Sequence, residues 1–407
     1  MDAARARTGM VDALRDGGRV CSPAVEEAFR AVPRHLFLPG LGVAEAYADE
    51  AVAVQFADGV ATSSASQPSM MAIMLEQLDV RPGQRVLEIG AGTGYNAALL
   101  ARIVGPTGAV TSVDIDEDLV DRAAVHLASA GVDGVELVVA DGALGHPPGA
   151  PYDRIVLTVG SDDVRPEWLA QLAPGGRLLL PLAVRGSQLS TALDLGPDGI
   201  LRSHSVRSCA FIRLRGAAAS PEATTRLDGI GVALQVPDDG PRPDAAAVAG
   251  ALADPRGHRD CTAALGPVDV WDGFGLWLAL TEPGACRLLA VEPETALPDD
   301  LLPLGASSGT VGLVAAPGAI PGVAAVVLAG DDHSPLRVRA SGPSGDALAD
   351  RLLDALAHWT AAGRPGAPDW RFVAVPRGTD VDLPEPAAVV EKRHCRLLAD
   401  LPDRAAG

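Results

Sequence analysis

Between residues 85 and 182 the chain alternates short apolar runs with stretches of helical periodicity. Residues 86–89, 110–113, 135–139, 154–158 and 177–182 read as strands. Between them, 95–103 and 118–130 carry apolar positions at helical spacing, Leu119, Ala123 and Leu127 sharing one face, and 166–172 continues the series. Such alternation predicts βαβ units and a parallel sheet covered on both faces. Upstream, Val11 and Leu14 mark one helix and residues 23–31 a second, with Ser22 placed to cap it and Pro23 at its first position. The run Val32-Pro33-Arg34-His35-Leu36-Phe37 ends that helix.

After residue 216 the texture changes. Ala217-Ala218-Ala219-Ser220-Pro221 lacks large apolar residues and reads as a linker. Beyond it, apolar runs at 229–236, 268–280, 286–291, 309–315 and 323–328 are split by Gly and Pro. A helix is predicted over 346–361, with Leu348, Leu352, Leu353, Leu356 and Trp359 at helical spacing, and a strand over 370–375 closes the segment. The most apolar stretch, 311–328, is interrupted by Pro317 and Pro321, so it predicts two buried strands and a turn, not a membrane span. The expected organisation is an α/β domain over 1–216, its first 80 or so residues a helical substrate-access segment, and a C-terminal α+β domain over 217–407.

Composition narrows this picture. Hydrophobic residues at 48% and charged residues at 21% fit a folded chain, and aromatics at only 3% leave the core to Leu, Val, Ile and Ala. A formal charge of −19 argues against nucleic-acid binding, which needs a basic face. Cys21, Cys209, Cys261, Cys286 and Cys395 are scattered, with no C-x-x-C pair, so neither a zinc site nor a disulfide framework is signalled. Reduced thiols and the lack of an apolar stretch behind Met1 suggest a cytoplasmic protein.

The chemistry is concentrated in Val86-Leu87-Glu88-Ile89-Gly90-Ala91-Gly92-Thr93-Gly94-Tyr95, a strand running through three glycines into a helix. Glycines permit positive φ and close approach of a ligand, and the helix start offers free N–H groups. A dinucleotide site would place its third glycine one residue later. The G-x-G-x-G spacing after an acidic strand end favours a cofactor with an amino-acid moiety and no pyrophosphate, as S-adenosylmethionine has. Asp114, followed by Ile115, ends the second strand about 20 residues on, where a carboxylate can accept from ribose hydroxyls. Asp141-Gly142 follows the third strand, where a carboxylate can reach the adenine amino group. With Pro174-Gly175-Gly176-Arg177, a tight turn before a last strand, residues 80–185 resemble the Rossmann-like class I methyltransferases. The candidate cofactor residues are Glu88, Gly90, Gly92, Gly94, Tyr95, Asp114, Ile115, Asp141 and Gly142; no metal site stands out.

The flanks resemble the protein-L-isoaspartate O-methyltransferase family. The likeness lies in residues 32–39, in Ala46-Tyr47-Ala48-Asp49, in Ser64-Ala65-Ser66-Gln67-Pro68 and in Asp141-Gly142-Ala143-Leu144-Gly145, and covers about 20–215. It implies esterification of an aspartate-type carboxylate in a peptide or protein, with Ser66, and Ser64 beside it, orienting the acceptor. Ser66 is alternatively a cap for a helix starting near Pro68, and His35 reads as a structural hydrogen-bonding residue. Two features depart from the repair enzymes of the family: residues 58–65 replace their usual Gly and Gln, and the chain continues for roughly 190 residues. This layout resembles actinobacterial members that act on ribosomally made peptides such as lanthipeptides and graspetides. In those, methylation of one Asp leads to succinimide or isoaspartate. That likeness implies a C-terminal domain holding the precursor peptide and association with a peptide-cyclising enzyme. The alternative is general isoaspartyl repair, with the C-terminal domain a scaffold or partner-binding module.

Overall fold

In the computed structural model, residues 2–219, 224–227, 229–261, 265–266, 268–291, 302–304, 307–327, 336–381 and 384–402 are described. The chain opens with helices α1 (Ala3–Asp16), α2 (Pro23–Ala31) and α3 (Val43–Ala46), then a hairpin of β1 (Val52–Ala57) and β2 (Val60–Ala65), then α4 (Pro68–Leu78). Helix α2 has the expected bounds, and Ser22 Oγ accepts from Val25 N at 3.4 Å. The alternating region follows as β3 (Arg85–Ile89), α5 (Tyr95–Val104), β4 (Ala109–Asp114), α6 (Glu117–Ser129), β5 (Val135–Val139), β6 (Tyr152–Leu157), α7 (Pro166–Leu169), β7 (Leu172–Val184), β8 (Ser187–Leu195) and β9 (Leu201–Ser208).

Strands β7, β6, β3, β4 and β5 pair in that order, all parallel. Helices α4 and α5 bury one face of this array, with Leu75, Leu78, Leu99 and Leu100 in the same apolar cluster as Val86 and Val110. The sheet does not stop where the parallel pattern stops. Strands β8 and β9 add antiparallel to β7, and Pro174-Gly175-Gly176 lies inside β7 instead of forming the turn before a final strand. Gly175 at φ +72° sits next to a register shift against β6, so the glycines make an irregularity within one long strand.

The C-terminal segment contains β10 (Thr224–Leu227), β11 (Val232–Gln235), α8 (Ala245–Leu252), β12 (Pro255–Asp260), a π-helical turn (Asp269–Phe274), α9 (Gly275–Thr281), β13 (Ala285–Ala290), β14 (Leu302–Leu304), β15 (Ser307–Val314), β16 (Val323–Val327), β17 (Arg337–Ser341), α10 (Gly345–Ala361), β18 (Arg371–Pro376), β19 (Ala388–Glu391) and β20 (Cys395–Asp400). Strands β10 to β17 form a second, antiparallel sheet ordered β10-β11-β13-β15-β16-β17-β12, with β14 on β15. Helix α10 packs Leu348, Leu352, Leu356 and Trp359 on one face of it, and α8 packs Val248 and Ala251 on the other. The two buried strands expected within 311–328 are the antiparallel pair β15 and β16. Leu328 lies outside the described residues, as do Ser220 and Pro221 of the expected linker; Gly216–Ala218 is a 3-10 turn.

The division at residue 216 needs correction. Strand β18, expected to close the second domain, returns to the first sheet and pairs antiparallel with β9, and β20 and β19 extend that edge to make ten strands. Trp370, Phe372 and Leu397 share an apolar cluster with Leu178 and Leu180 of β7. The parts are also clasped by two arginines. Arg287 of β13 donates to Gly186 O at 2.7 Å, and Arg185 donates to Leu280 O at 3.3 Å and Val389 O at 2.9 Å. Among the described residues, no helix is long and apolar enough to cross a membrane.

Candidate active site

The three glycines of the β3–α5 turn all adopt positive φ, +103° at Gly90, +51° at Gly92 and +83° at Gly94. Space enforces the same choice at two of them. A Cβ on Gly90 would stand 2.6 Å from Thr158 Oγ1, and one on Gly94 would stand 3.1 Å from Ala123 on α6. The loop therefore presses against the ends of β6 and α6 while its outer side faces a cavity at the carboxyl ends of the parallel strands. Ligands in open α/β sheets bind at that edge.

Asp114, at the end of β4, is 9% exposed and lines this cavity. Its Oδ2 accepts from Gly92 N at 3.0 Å and its Oδ1 from Asp116 N at 3.2 Å, which fixes the carboxylate beside the glycine loop. Arg215 Nη2 lies 4.0 Å from the same carboxylate and 3.8 Å from Asp116. Beside the glycine loop, β2 brings Thr62, Ser63, Ser64 and, just beyond it, Ser66 to the cavity. A strap over residues 211–215 closes a third side; it runs beside the β6 end through Gly160 N to Ile212 O and Leu214 N to Gly160 O, both 2.8 Å. Hydroxyl-bearing residues, a glycine loop that can cradle a cofactor's backbone-like end and a fixed carboxylate thus line one cavity, with Ser63 and Ser64 beside Gly92.

A family profile described as protein-L-isoaspartate(D-aspartate) O-methyltransferase matches residues 5–219. The chain belongs to this family. Its members are S-adenosylmethionine-dependent carboxyl O-methyltransferases, and the chain has their class I methyltransferase fold with an additional β-rich C-terminal part. A protein-L-isoaspartate O-methyltransferase of Methanopyrus kandleri is 41% identical over 213 residues, 52% of this chain and 92% of the relative. Protein-L-isoaspartate O-methyltransferase 2 of Archaeoglobus fulgidus is 38% identical over 216 residues, 53% of this chain and 95% of the relative. A solved structure bearing the name protein-L-isoaspartate O-methyltransferase is alike in fold over 90% of this chain and 96% of its own, at TM-score 0.50 and 23% identity.

Most residues singled out in the sequence converge on the cavity: Ser64, Ser66, Gly90, Gly92, Tyr95, Asp114, Ile115 and Gly142 all line it. Gly94 stands behind the loop, against α6. Two carboxylates expected at the cofactor are placed elsewhere. Glu88 is fully buried under the loop, where its oxygens accept from Asn96 Nδ2 at 2.8 Å and Ser112 Oγ at 2.5 Å. Neighbouring strand residues point to opposite faces, so with Ile89 on the cavity Glu88 turns into the protein. Burial pushes its pKa up to about 7, against the hydrogen bonds from Ser112 and Asn96. Asp141 is not on the cavity wall either. Its oxygens accept from Ala143 N at 2.9 Å and from Ala217 N at 2.7 Å, and a Cβ on Gly216 would stand 2.5 Å from the carboxylate. It anchors the far end of the strap.

Ser66 does not cap α4. The first-turn N–H of Ser69 donates to Asp49 Oδ1 at 2.8 Å, and Gln67 at the N-cap position makes no side-chain cap. His35 Nδ1 lies 2.9 Å from Tyr47 Oη, the structural hydrogen bond expected of it. Sequence reasoning overlooked Arg34, which is 1% exposed yet lines the cavity. Its guanidinium donates to Ser66 O and Ala46 O, both at 2.9 Å, and sits 5.1 Å from the Tyr95 ring centroid. Desolvation lowers its pKa from the usual arginine value. Its place in the run 32–37 was the available signal. For Thr158 and the strap the sequence carried none, because each reaches the cavity only through sheet order.

Proposed function

We propose that the chain methylates the free α-carboxylate of isoaspartyl residues in polypeptides. The observation that carries this reading is the hydroxyl-bearing strand end, Thr62 to Ser64 with Ser66 beyond it, which lines the same cavity as the glycine loop and lies beside Gly92. When bound, S-adenosylmethionine supplies a sulfonium-activated methyl group that passes to a carboxylate oxygen as the carbon–sulfur bond breaks toward sulfur. An acceptor carboxylate, with an ordinary pKa of about 4, is already ionised near neutral pH and needs no general base. The protein's task is then alignment and exclusion of water. In this reading the Ser66 and Ser64 hydroxyls orient the acceptor, and Asp114 accepts hydrogen bonds from the cofactor's ribose. Arg34 holds the Ser66 backbone in place and adds a buried positive charge to that wall. Glu88 stiffens the loop from below through Asn96 and Ser112, and Asp141 holds the strap.

The narrower expectation is methylation of one Asp in a ribosomally made peptide, ending in succinimide or isoaspartate and working beside a peptide-cyclising enzyme. The altered hairpin speaks for it: β1–β2 turns at Asp58-Gly59 and exposes Phe56 and Val60 at its tip, which suits an apolar peptide partner. The long C-terminal part speaks for it less than expected, because a two-part fold of matching extent occurs in a structure bearing the isoaspartate methyltransferase name. General isoaspartyl acceptance is therefore the reading we favour. Methyl transfer from radiolabelled cofactor to a short generic isoaspartyl peptide tests it. Robust turnover supports general acceptance; no turnover there, with turnover on a ring-containing normal-Asp peptide, would reverse the choice.

A further inference from the structure

The hairpin brings hydroxyl-bearing residues to the cavity, yet its two strands, β1 and β2, pair with each other alone. A two-stranded hairpin is marginally stable in water, so its position depends on what ties it to the rest of the protein. Its base is packed: Val52 and Val54 lie against the apolar cluster that includes Val25 and Phe29 of α2. Its far end is open, with Phe56 and Val60 exposed. Between the two, among the described residues, one side-chain hydrogen bond joins the hairpin to another element. Gln55 Nε2 donates to Asp116 Oδ2 at 2.8 Å.

A local irregularity sits at that residue. The register of β1 on β2 shifts on both sides of Gln55, leaving Val54 on one strand and Thr62 on the other unmatched. Such bulges re-aim side chains and are frequent beside active sites. The amide is engaged at both ends, because its Oε1 accepts from Thr62 Oγ1 at 3.5 Å, and Thr62 lines the cavity. Asp116 is equally well connected. It caps α6, its Oδ1 accepting from Asp118 N at 3.1 Å, and its own N–H donates to Asp114 Oδ1 at 3.2 Å. The oxygen that meets Gln55 also lies 3.8 Å from Arg215 of the strap. The hydrogen bond from Gln55, ahead of every other influence, holds the Asp116 carboxyl below its ordinary pKa. A continuous run of contacts thus leads from the hydroxyl-bearing strand, through one amide and one carboxylate, to Asp114.

We propose that Gln55 is a positioning residue for the acceptor: it fixes the strand carrying Thr62 and Ser64 relative to Asp114, so that acceptor oxygen and cofactor methyl meet in line. The proposal rests on the isoaspartyl reading above, with Ser64 and Ser66 orienting the acceptor. Gln55 does not itself line the cavity, so it acts through Thr62 and Ser64 and not on the reacting atoms. Ser66 is held separately, through its carbonyl to Arg34. Loss of Gln55 therefore disturbs the acceptor and spares the cofactor, because Asp114 keeps its bonds to the backbone of Gly92 and Asp116.

Gln55→Leu keeps most of the side chain's bulk and removes both hydrogen bonds. With an isoaspartyl peptide the full-length variant should show kcat/KM lower by about tenfold, the lower end for losing a hydrogen bond to a charged group, and the loss should fall mainly on the peptide KM. Its calorimetric Kd for S-adenosylhomocysteine should stay within about twofold, as for a ligand the residue does not touch. An unchanged kcat/KM, or a loss of cofactor affinity as large as the loss of kcat/KM, overturns the proposal. Amide hydrogen exchange of the free protein reads the tether without any methyl transfer. Residues 55–66 should exchange about tenfold faster in the variant, while α5 exchanges as in the wild type and so reports that the fold is kept. Equal exchange of 55–66 in both proteins also overturns the proposal. Faster exchange in the variant, beside a wild type that methylates no isoaspartyl peptide, would keep the tether and refute the isoaspartyl reading instead; the kinetic comparison then uses the ring-containing normal-Asp peptide.

Discussion

The two sheets are built by opposite rules. In the first, the parallel strands β3, β4 and β6 each end at the cavity, so consecutive short segments of chain deliver the glycine loop, Asp114 and Thr158 to one edge. In the second, every pairing is antiparallel and connections return the chain to alternate ends. Parallel order gathers loops that follow strands at one side; antiparallel order disperses them. The difference fits the lining of the cavity, which among the described residues includes none beyond Arg215, while the C-terminal part is joined to the first sheet elsewhere, through β18 and the contacts of Arg185 and Arg287.

The strongest challenge to that contrast is a matched pair of glycine substitutions. Gly90→Ala adds a Cβ 2.6 Å from Thr158 Oγ1 at φ +103°, whereas Gly318→Ala, at φ +78°, adds one to open space. The Gly90 variant should lose cofactor binding by at least a hundredfold in calorimetric titration. Gly318→Ala should carry only the left-handed backbone cost of about 1–2 kcal/mol, read as a lower melting temperature with cofactor affinity kept. Equal damage to cofactor binding would mean the second part belongs to the site.

Glu88 gives the next effect, and it depends on pH. Its folded pKa, about 7, lies above its ordinary value of 4.5, so the folded state binds the proton more tightly than the unfolded state. Stability from this group is therefore full below pH 4.5 and is lost as pH rises through 7. The loss is up to about 3 kcal/mol. Glu88→Gln should flatten the fall in melting temperature between pH 5 and 8; an unchanged slope would place the titration elsewhere.

Asp114→Ala should weaken cofactor binding by about 1.5–3 kcal/mol, the worth of a hydrogen bond to a charged group, and calorimetry resolves that loss. Smallest is Ser66→Ala, expected to lower kcat by about tenfold with cofactor affinity unchanged, as for one orienting hydrogen bond of about 1.4 kcal/mol. A change in cofactor affinity instead would move Ser66 from the acceptor wall to the cofactor. Deleting everything after residue 216 is a poor probe of the same contrast, because it strips β18, β19 and β20 from the first sheet and exposes the β9 edge.

What the sequence determined is what short stretches of backbone decide alone. A strand entering closely spaced glycines and leaving as a helix needs only local dihedrals and local hydrogen bonds, so β3, α5, β4, α6 and β5 lie within a residue or two of their expected bounds. The same locality made Gly90, Gly92 and Asp114 legible. Tertiary structure decided the rest, because each remaining contact joins distant segments. Asp141 meets Ala217 across 76 residues, Arg34 meets Ser66 across 32, and β18 pairs with β9 although a whole sheet lies between them in the chain. Glu88 lies within the glycine motif and Asp141 follows the third strand, yet strand alternation buries one and the segment after the strap engages the other. Local sequence chose the glycine loop. Long-range packing chose which carboxylates face it.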